Sequence, residues 1–220
     1  MVLSKALYGC EAAPIASNVL DKLTTTLRKA MGFRGHFTSN DLAFQVSNEA
    51  GDLDPRLNVY LRRFTLLRRV LARSPEYLTK VTQLVKMYGD LSTPGTLGAL
   101  GKPYTKAAIC WGPIGLLLDS ANEYGCVISE GMRLTSFASS TDFDIMELPW
   151  QDYKPRLVYL AQRARFENVR VDRKEYKDAN RPDFLALHNA AKQVGGEIFN
   201  RIKSLLALGR WNKGCISAAH

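Results

Sequence analysis

The chain has 220 residues, of which 46% are hydrophobic and 23% are charged, a composition that excludes an intrinsically disordered protein. This length allows one large domain or two small ones with an ample core. The formal net charge of +9 favours a polyanionic partner, foremost nucleic acid, with a basic surface that has no partner as the alternative.

The first predicted elements form the N-terminal part of the chain. Leu3–Gly9 is apolar and is compatible with a short strand or helix that enters a turn. Ser17 is predicted to cap a helix that runs to about Met31, because leucines recur on one face and Gly32 follows the last turn. The alternating run Leu42–Val46 predicts a short strand in the connector that follows.

The central predicted element is a helix over the stretch DPRLNVYLRRFTLLRRVLAR, which is Asp54–Arg73. Asp54 can accept the free N–H groups of the first turn, and Pro55 suits the first helical position. Apolar residues recur every three or four positions and predict one buried face, made of Leu57, Tyr60, Leu61, Phe64, Leu67 and Leu71. Arginines are predicted on the opposite side at Arg56, Arg62, Arg63, Arg69 and Arg73, with Arg68 near the boundary.

This arginine-rich side has two interpretations. One is a core helix whose basic face is simply solvated. The other is a helix laid along a phosphate backbone, where planar guanidinium groups make two-pronged contacts with phosphate oxygens. The sequence alone leaves both open.

Ser74 and Pro75 follow this helix and predict the start of a second helix, which ends near Gly89. A stretch rich in glycine and proline follows and predicts a loop or hinge over 91–105. The predicted organisation is therefore a helical region over 1–90, this hinge, and a second helical region over 106–220.

The second region is predicted to begin with a leucine-rich helix that starts at Trp111-Gly112-Pro113 and ends at Gly125. Met132–Phe137 and Phe143–Leu148 alternate weakly and predict a small hairpin. The fold class expected from these patterns is mainly α, with six or seven helices and at most a small antiparallel β hairpin.

The C-terminal part is predicted to hold two more helices. The first covers Tyr153–Phe166, with Trp150 as a core anchor at its entrance and three arginines pointing outward, at Arg156, Arg163 and Arg165. The charged stretch 168–182 predicts an exposed loop. The second helix covers 182–208 and is predicted to bend at its two adjacent glycines.

No residue pattern indicates catalysis, a cofactor or a metal ion. The phosphate-binding loop, the nucleophile elbow, HExxH and CxxC are all absent from the sequence. The cysteines are too far apart for a zinc knuckle and are expected to be reduced thiols of an intracellular protein, nuclear or cytoplasmic: Cys10, Cys110, Cys126 and Cys215. The longest apolar run, Ile114–Leu118, is too short to span a bilayer, so no membrane partner is expected.

An ordered series of short motifs resembles one protein family. Leu7–Glu11, which reads LYGCE, precedes the helix VLDKLTTTLRKAMG and resembles the segment just after the catalytic palm in reverse transcriptases of non-LTR, LINE-type retrotransposons. There, a YG-x-E sequence precedes the first thumb helix. Further motifs are similar to the C-terminal region of such elements: Asp52–Pro55, the arginine helix, Gly112–Leu116, Leu148–Gln151 and Gly209–Lys213.

The resemblance implies a thumb-like helical region over 1–90 and no polymerase activity of its own. The family's polymerase site uses two adjacent aspartates, and this sequence has no such pair, so no catalytic residue is carried over. The zinc knuckle of some relatives is missing as well. The resemblance therefore implies that Met1 starts downstream of the active site, in a truncated element, a gene-model fragment or a remnant kept for binding.

Together, these observations predict a non-catalytic fragment that contacts the backbone of RNA or DNA without reading bases. The residues predicted to bind phosphates are Arg56, Arg62, Arg63, Arg69 and Arg73, helped by Lys80 and Lys86. The rest of a retroelement polyprotein is a further expected partner. The alternative is a structural or protein-interaction module whose basic faces meet acidic protein, such as its own segment 111–150, which has a net charge of −5.

Overall fold

The structure is a computed structural model that describes residues 2–33, 39–46, 53–90, 112–129, 131–137 and 141–172, with isolated helical positions at Ala186, Asn189, Gln193 and Glu197. It is mainly helical and has a small antiparallel sheet, which confirms the predicted fold class. The predicted hinge at 91–105 and most of the predicted helix at 182–208 lie outside the described residues.

The helices and strands follow one another in a simple order. The helices are α1 (Val2–Ala6), α2 (Ser17–Ala30), α3 (Asn40–Val46), α4 (Pro55–Arg73), α5 (Leu78–Asp90, after a 3-10 turn at Pro75–Tyr77), α6 (Pro113–Glu123) and α7 (Trp150–Asp172). The strands are β1 (Cys126–Ile128), β2 (Arg133–Ser136) and β3 (Thr141–Asp144).

The chain divides into two compact units, each made of two stretches of sequence. The first unit contains residues 1–15 and 57–165, and the second contains residues 16–56 and 166–220. Residues on both sides of the predicted hinge at 91–105 therefore belong to the same unit. The sequence-based division placed them in separate regions.

Helix α4 begins where the sequence predicts. The Asp54 carboxylate accepts the N–H of Arg56 at 3.0 Å and so caps the first turn. All six apolar residues of the predicted face are buried: Leu57, Tyr60, Leu61, Phe64, Leu67 and Leu71. The hydrophobic periodicity thus identified both the helix and the side that packs inward.

The small sheet contains a hairpin at the predicted place and one additional strand, but the second strand of the hairpin is Thr141–Asp144 and not Phe143–Leu148. Strands β2 and β3 pair antiparallel, with Leu134 opposite Phe143. Strand β1 pairs with the other edge of β2, which places Ile128 opposite Leu134. Leu134 is fully buried, whereas its neighbours along β2 are exposed, as expected for a strand with one face on the core.

Aromatic side chains fill the core of the first unit. The Tyr60 ring lies 4.7 Å from that of Phe64 and 4.8 Å from that of Tyr124, measured between ring centroids. Tyr153 of α7 is fully buried, and its hydroxyl donates a hydrogen bond to the Phe64 carbonyl at 3.2 Å. This hydrogen bond ties α7 to α4.

The second unit corrects two sequence predictions. Leu42–Val46 forms most of helix α3 and not a strand, and all five residues are buried. The apolar pattern of this stretch therefore reflects a short helix that is buried on all sides, and not a strand with one buried and one exposed face. Helix α7 continues past Phe166 to Asp172, into the stretch predicted as a loop, because Val169 joins Phe166 in a buried cluster with Leu42.

Helix α2 has the predicted extent but a different start. Its N-cap is Ala16, and no side chain caps the first turn, so the cap predicted at Ser17 is wrong. Gly32 follows the helix with a φ of +93°, a conformation that favours glycine. The helix end was thus predictable from the sequence, whereas the cap was not.

Two cysteines of the first unit are free and buried, Cys10 and Cys126. Burial raises the pKa of the Cys126 thiol from 9.0 to about 11, and burial also raises the pKa of Cys10. Because the thiolate is the reactive form, these two thiols are expected to be inert at neutral pH.

The raised pKa of Cys126 predicts a loss of folding stability at alkaline pH. Between about pH 9 and 11 the unfolded chain releases the Cys126 proton and the folded chain retains it, so stability present below pH 9 is lost as the pH rises. Compared with Cys126→Ala, the wild type should lose up to about 3 kcal/mol of the free energy of unfolding over this range. Urea unfolding of both proteins from pH 8 to 11 measures this difference. If the difference in the free energy of unfolding between the two proteins stays constant from pH 8 to 11, the raised pKa of Cys126 is contradicted.

Candidate nucleic-acid interface

The arginines of α4 lie in different environments because of their positions around the helix. Successive residues of an α-helix are about 100° apart, so Arg62, Arg69 and Arg73 fall within roughly 40° of one another. These three residues form what we call the outer stripe, opposite the buried face. Arg63 lies about 100° from Arg62, on the flank between the outer stripe and the buried face, whereas Arg68 lies about 240° from Arg62, at the edge of the buried face between Leu57 and Leu61.

Arg63 is a buried residue of the first unit, with an exposed fraction of 8%. Its guanidinium donates to the Cys10 carbonyl at 3.1 Å, the Leu116 carbonyl at 2.8 Å and the Ser120 hydroxyl at 2.6 Å. Burial lowers its pKa from the usual value. The prediction that Arg63 lies on the outer side is therefore wrong, and its donors serve the fold.

Arg68 is buried as well, with an exposed fraction of 7%. Its guanidinium carbon lies 4.6 Å from the ring centroid of Trp150 and 4.5 Å from that of Tyr153, which is cation–π geometry. It also donates to the carbonyls of Met146 and Leu148. Arg68 thus connects α4 to the start of α7.

Trp150 is not the core anchor that the sequence predicted. Its side chain is 50% exposed, and its ring lies edge-on to Tyr153 at 5.7 Å between centroids. The same turn of α7 does provide a core anchor, but the buried residue is Tyr153. Of the three arginines of α7 predicted to point outward, Arg165 is also buried and donates to the Tyr124 hydroxyl at 2.9 Å.

Arg56 belongs to the second unit and is separate from the outer stripe. It forms an ion pair with Asp21 of α2 at 2.7 Å. Its charge is therefore partly balanced by a carboxylate of its own unit. Arg56 is not among the residues that line the groove of the first unit described below.

An open groove of the first unit runs beside the outer stripe. Its volume is about 690 Å³, and three basic side chains line it, Arg62, Arg69 and Lys154. The other residues along the groove are Tyr8, Gly9, Glu11, Asn58, Leu61, Thr65 and Leu66. Three cations and one carboxylate make the groove net positive.

Arg62 is held in place by the turn that precedes α2. It pairs with Glu11 at 3.1 Å, and it also donates to the Leu7 carbonyl at 3.4 Å. Both charged side chains are about one quarter exposed, so the pair is partly screened by water. Arg62 therefore contributes less positive charge to the groove than an unpaired arginine does.

Arg69 and Arg73 extend the basic edge beyond Arg62. Both side chains are exposed, and neither forms an ion pair with any residue that the structure describes. From Arg62 to Arg73 the helix rises roughly 16 Å, at about 1.5 Å per residue. The outer stripe is thus a row of cations that reaches from the groove towards the C-terminal end of α4.

Lys80 and Lys86 of α5 are exposed but do not line the groove. The Lys80 ammonium lies 5.6 Å from the centroid of the Tyr77 ring. The structure therefore brings together two of the seven predicted residues at the groove, Arg62 and Arg69, with Arg73 next in line. Tyr8 and Lys154 line the same groove and were not predicted.

Within the described ranges, no cluster of three metal-ligating side chains is present, and no helix is long and apolar enough to cross a membrane. No family model, curated protein or solved structure matches this chain. The resemblance to the post-palm region of LINE-type reverse transcriptases therefore remains a prediction based on the sequence motifs.

Proposed function

We propose that this chain is a non-catalytic nucleic-acid-binding protein, resembling the region downstream of the polymerase palm of a retrotransposon reverse transcriptase. The outer stripe and Lys154 hold the phosphate backbone along the groove. The observation that carries this proposal is the exposure of Arg69 and Arg73 without carboxylate partners among the described residues. Such cations release the counterions of a phosphate backbone when they bind it.

The geometry supports contact with several successive phosphates. In a duplex, nucleotides of one strand are spaced by about 3.4 Å along the axis, so a row of roughly 16 Å matches about five nucleotides. The planar guanidinium groups of Arg69 and Arg73 suit two-pronged contacts with phosphate oxygens. Backbone contacts carry no sequence information, and binding is therefore independent of sequence.

A second candidate function is a structural or protein-interaction module. The observation that favours it is the use of Arg63 and Arg68, whose guanidinium groups bind carbonyls of Leu116, Met146 and Leu148. These contacts explain two arginines of α4 as internal supports. They leave the exposed Arg69 and Arg73 of the outer stripe without a role, which is why nucleic-acid binding is the preferred proposal.

The salt dependence of binding tests the preferred proposal. Fluorescence anisotropy with labelled oligonucleotides of unrelated sequence should give similar affinities that fall steeply between 50 and 300 mM salt, a range chosen to resolve counterion release. In Arg69→Gln/Arg73→Gln the slope of log affinity against log salt should flatten by roughly 1.4 to 1.8 units, since two phosphate contacts are lost. The exposed positions should leave the melting temperature nearly unchanged.

A matched control is available on α5. Lys80→Gln/Lys86→Gln removes the same two positive charges from exposed positions away from the groove. This variant should retain the wild-type salt slope. Equal flattening in both variants would show that only net charge matters, and no change in either would remove the outer stripe as the binding site.

A further inference from the structure

Tyr8 is an exposed aromatic residue at the edge of the groove. Its side chain is 90% exposed, more than any other large hydrophobic side chain among the described residues. It lines the groove together with Arg62, Arg69 and Lys154. A solvated ring beside a row of cations is the combination by which proteins bind single-stranded nucleic acid.

The backbone around Tyr8 is held firmly although the side chain is free of the core. The flanking residues Leu7 and Cys10 are each only 1% exposed. The Tyr8 N–H donates to the Lys5 carbonyl at 3.3 Å, and the Gly9 carbonyl accepts two N–H groups of the same turn. The ring is therefore presented by an ordered turn.

Two arginines of α4 fix this turn against the helix. Arg63 donates to the Cys10 carbonyl at 3.1 Å, and Arg62 donates to the Leu7 carbonyl at 3.4 Å. Gly9 has a φ of +79°, which allows the chain to turn between the exposed Tyr8 and the buried Cys10. Such preorganisation reduces the entropy that binding must otherwise overcome.

We propose that Tyr8 stacks on a base of a single-stranded RNA or DNA segment whose phosphates lie along the outer stripe. This inference rests on the proposed function and specifies the class of nucleic acid. In a duplex the faces of the bases are covered by their neighbours except at the two ends, so along a strand an unpaired segment is needed to offer a face to Tyr8. Every base has such a face, and stacking is therefore compatible with sequence-independent binding.

Base-bearing and abasic strands separate stacking from backbone binding. The probes are single-stranded RNA and DNA of the same sequence, the same DNA with abasic sites, and the corresponding duplex. Tyr8→Ala should weaken binding of the base-bearing strands by roughly 5- to 150-fold, the range for loss of one aromatic stacking partner. Tyr8→Phe retains the ring and should bind within about twofold of the wild type.

The controls distinguish stacking from other roles of Tyr8. Tyr8→Ala should have the melting temperature of the wild type, because the ring is exposed. It should also bind abasic DNA and duplex with the affinity of the wild type. The stacking inference is overturned if Tyr8→Ala binds the base-bearing strands normally or loses abasic DNA to the same extent. In both cases the proposed function stands, provided that Arg69→Gln/Arg73→Gln still flattens the salt slope. Absence of binding by the wild type overturns both.

Comparing the loss of affinity for the RNA probe with that for the DNA probe shows which type of nucleic acid Tyr8 stacks on. A loss of similar size in both arms supports stacking on the base without a contribution from the sugar. A loss confined to one arm supports stacking on that nucleic acid alone, because the other strand then does not place a base on Tyr8.

Discussion

Replacing Arg63 with methionine is expected to lower the free energy of unfolding by roughly 3 to 5 kcal/mol. Methionine has a comparable length but cannot donate hydrogen bonds. The Cys10 carbonyl then loses its donor in a buried site, whereas the Leu116 carbonyl and the Ser120 hydroxyl each lose a charged donor and remain hydrogen-bonded to each other at 3.0 Å. A hydrogen bond to a charged group contributes about 1.5 to 3 kcal/mol, and an unsatisfied buried group costs about 1 to 3 kcal/mol.

The melting temperature should fall by roughly 6 to 20 °C for a chain of this length. Arg69→Met is the matched control, because it places the same substitution on the same helix at an exposed position. Its effect on the free energy of unfolding should stay within about 0.5 kcal/mol. If Arg63→Met and Arg69→Met have the same melting temperature, Arg63 is not the internal support that its hydrogen bonds indicate.

The second large effect concerns Tyr153. Tyr153→Ala should cost roughly 3 to 5 kcal/mol, the range for deleting a buried aromatic side chain. The substitution removes a fully buried ring, the hydrogen bond to the Phe64 carbonyl and one side of the Arg68 cation–π contact. Thermal and urea unfolding measure the loss.

Trp150→Ala is the comparison within the same turn of α7. Trp150 is half exposed, so its removal should cost only about 1 kcal/mol, mainly from the contact with Arg68. The sequence predicted the opposite, with Trp150 as the core anchor. Greater destabilisation by Trp150→Ala than by Tyr153→Ala would restore that earlier interpretation.

The apolar face of α4 was predictable because it depends only on local periodicity. The roles of Arg63 and Arg68 depend on residues far away in the sequence. Arg63 lies about 100° from Arg62 around the helix, on the flank, where the side chain can turn inward or outward. It turns inward because Leu116 and Ser120 of α6 provide acceptors, and no pattern within α4 contains that information.

Other elements differ from prediction for related reasons. Leu42–Val46 alternates like a strand, but each of its residues is buried, and the stretch folds as a helix within the second unit's core. Strand β1 has three residues, too few for a periodic signal, and is specified by its pairing with β2. Short apolar runs are ambiguous when their partners are unknown.

The candidate site was predictable only in part. The outer stripe could be predicted from the spacing of its arginines. Tyr8 could not be selected as a binding residue, because an aromatic side chain is equally suited to the core. Only the sequence Tyr8–Gly9 gave a signal, since glycine favours a turn that can expose its neighbour. The sequence does not distinguish Lys154 from any other solvated lysine, because its position at the groove depends on the tertiary fold.

The central claim is that α4 divides its arginines between internal support and nucleic-acid binding. It is tested most directly by measuring melting temperature and affinity for abasic DNA, on which Tyr8 has no base to stack, on the same samples for Arg63→Met and Arg69→Gln/Arg73→Gln. Below its own melting temperature, Arg63→Met should keep most of its affinity, whereas the double variant should melt normally and lose affinity with a flatter salt slope. Parallel loss of stability and affinity in both variants, or normal binding by the double variant, would contradict the claim.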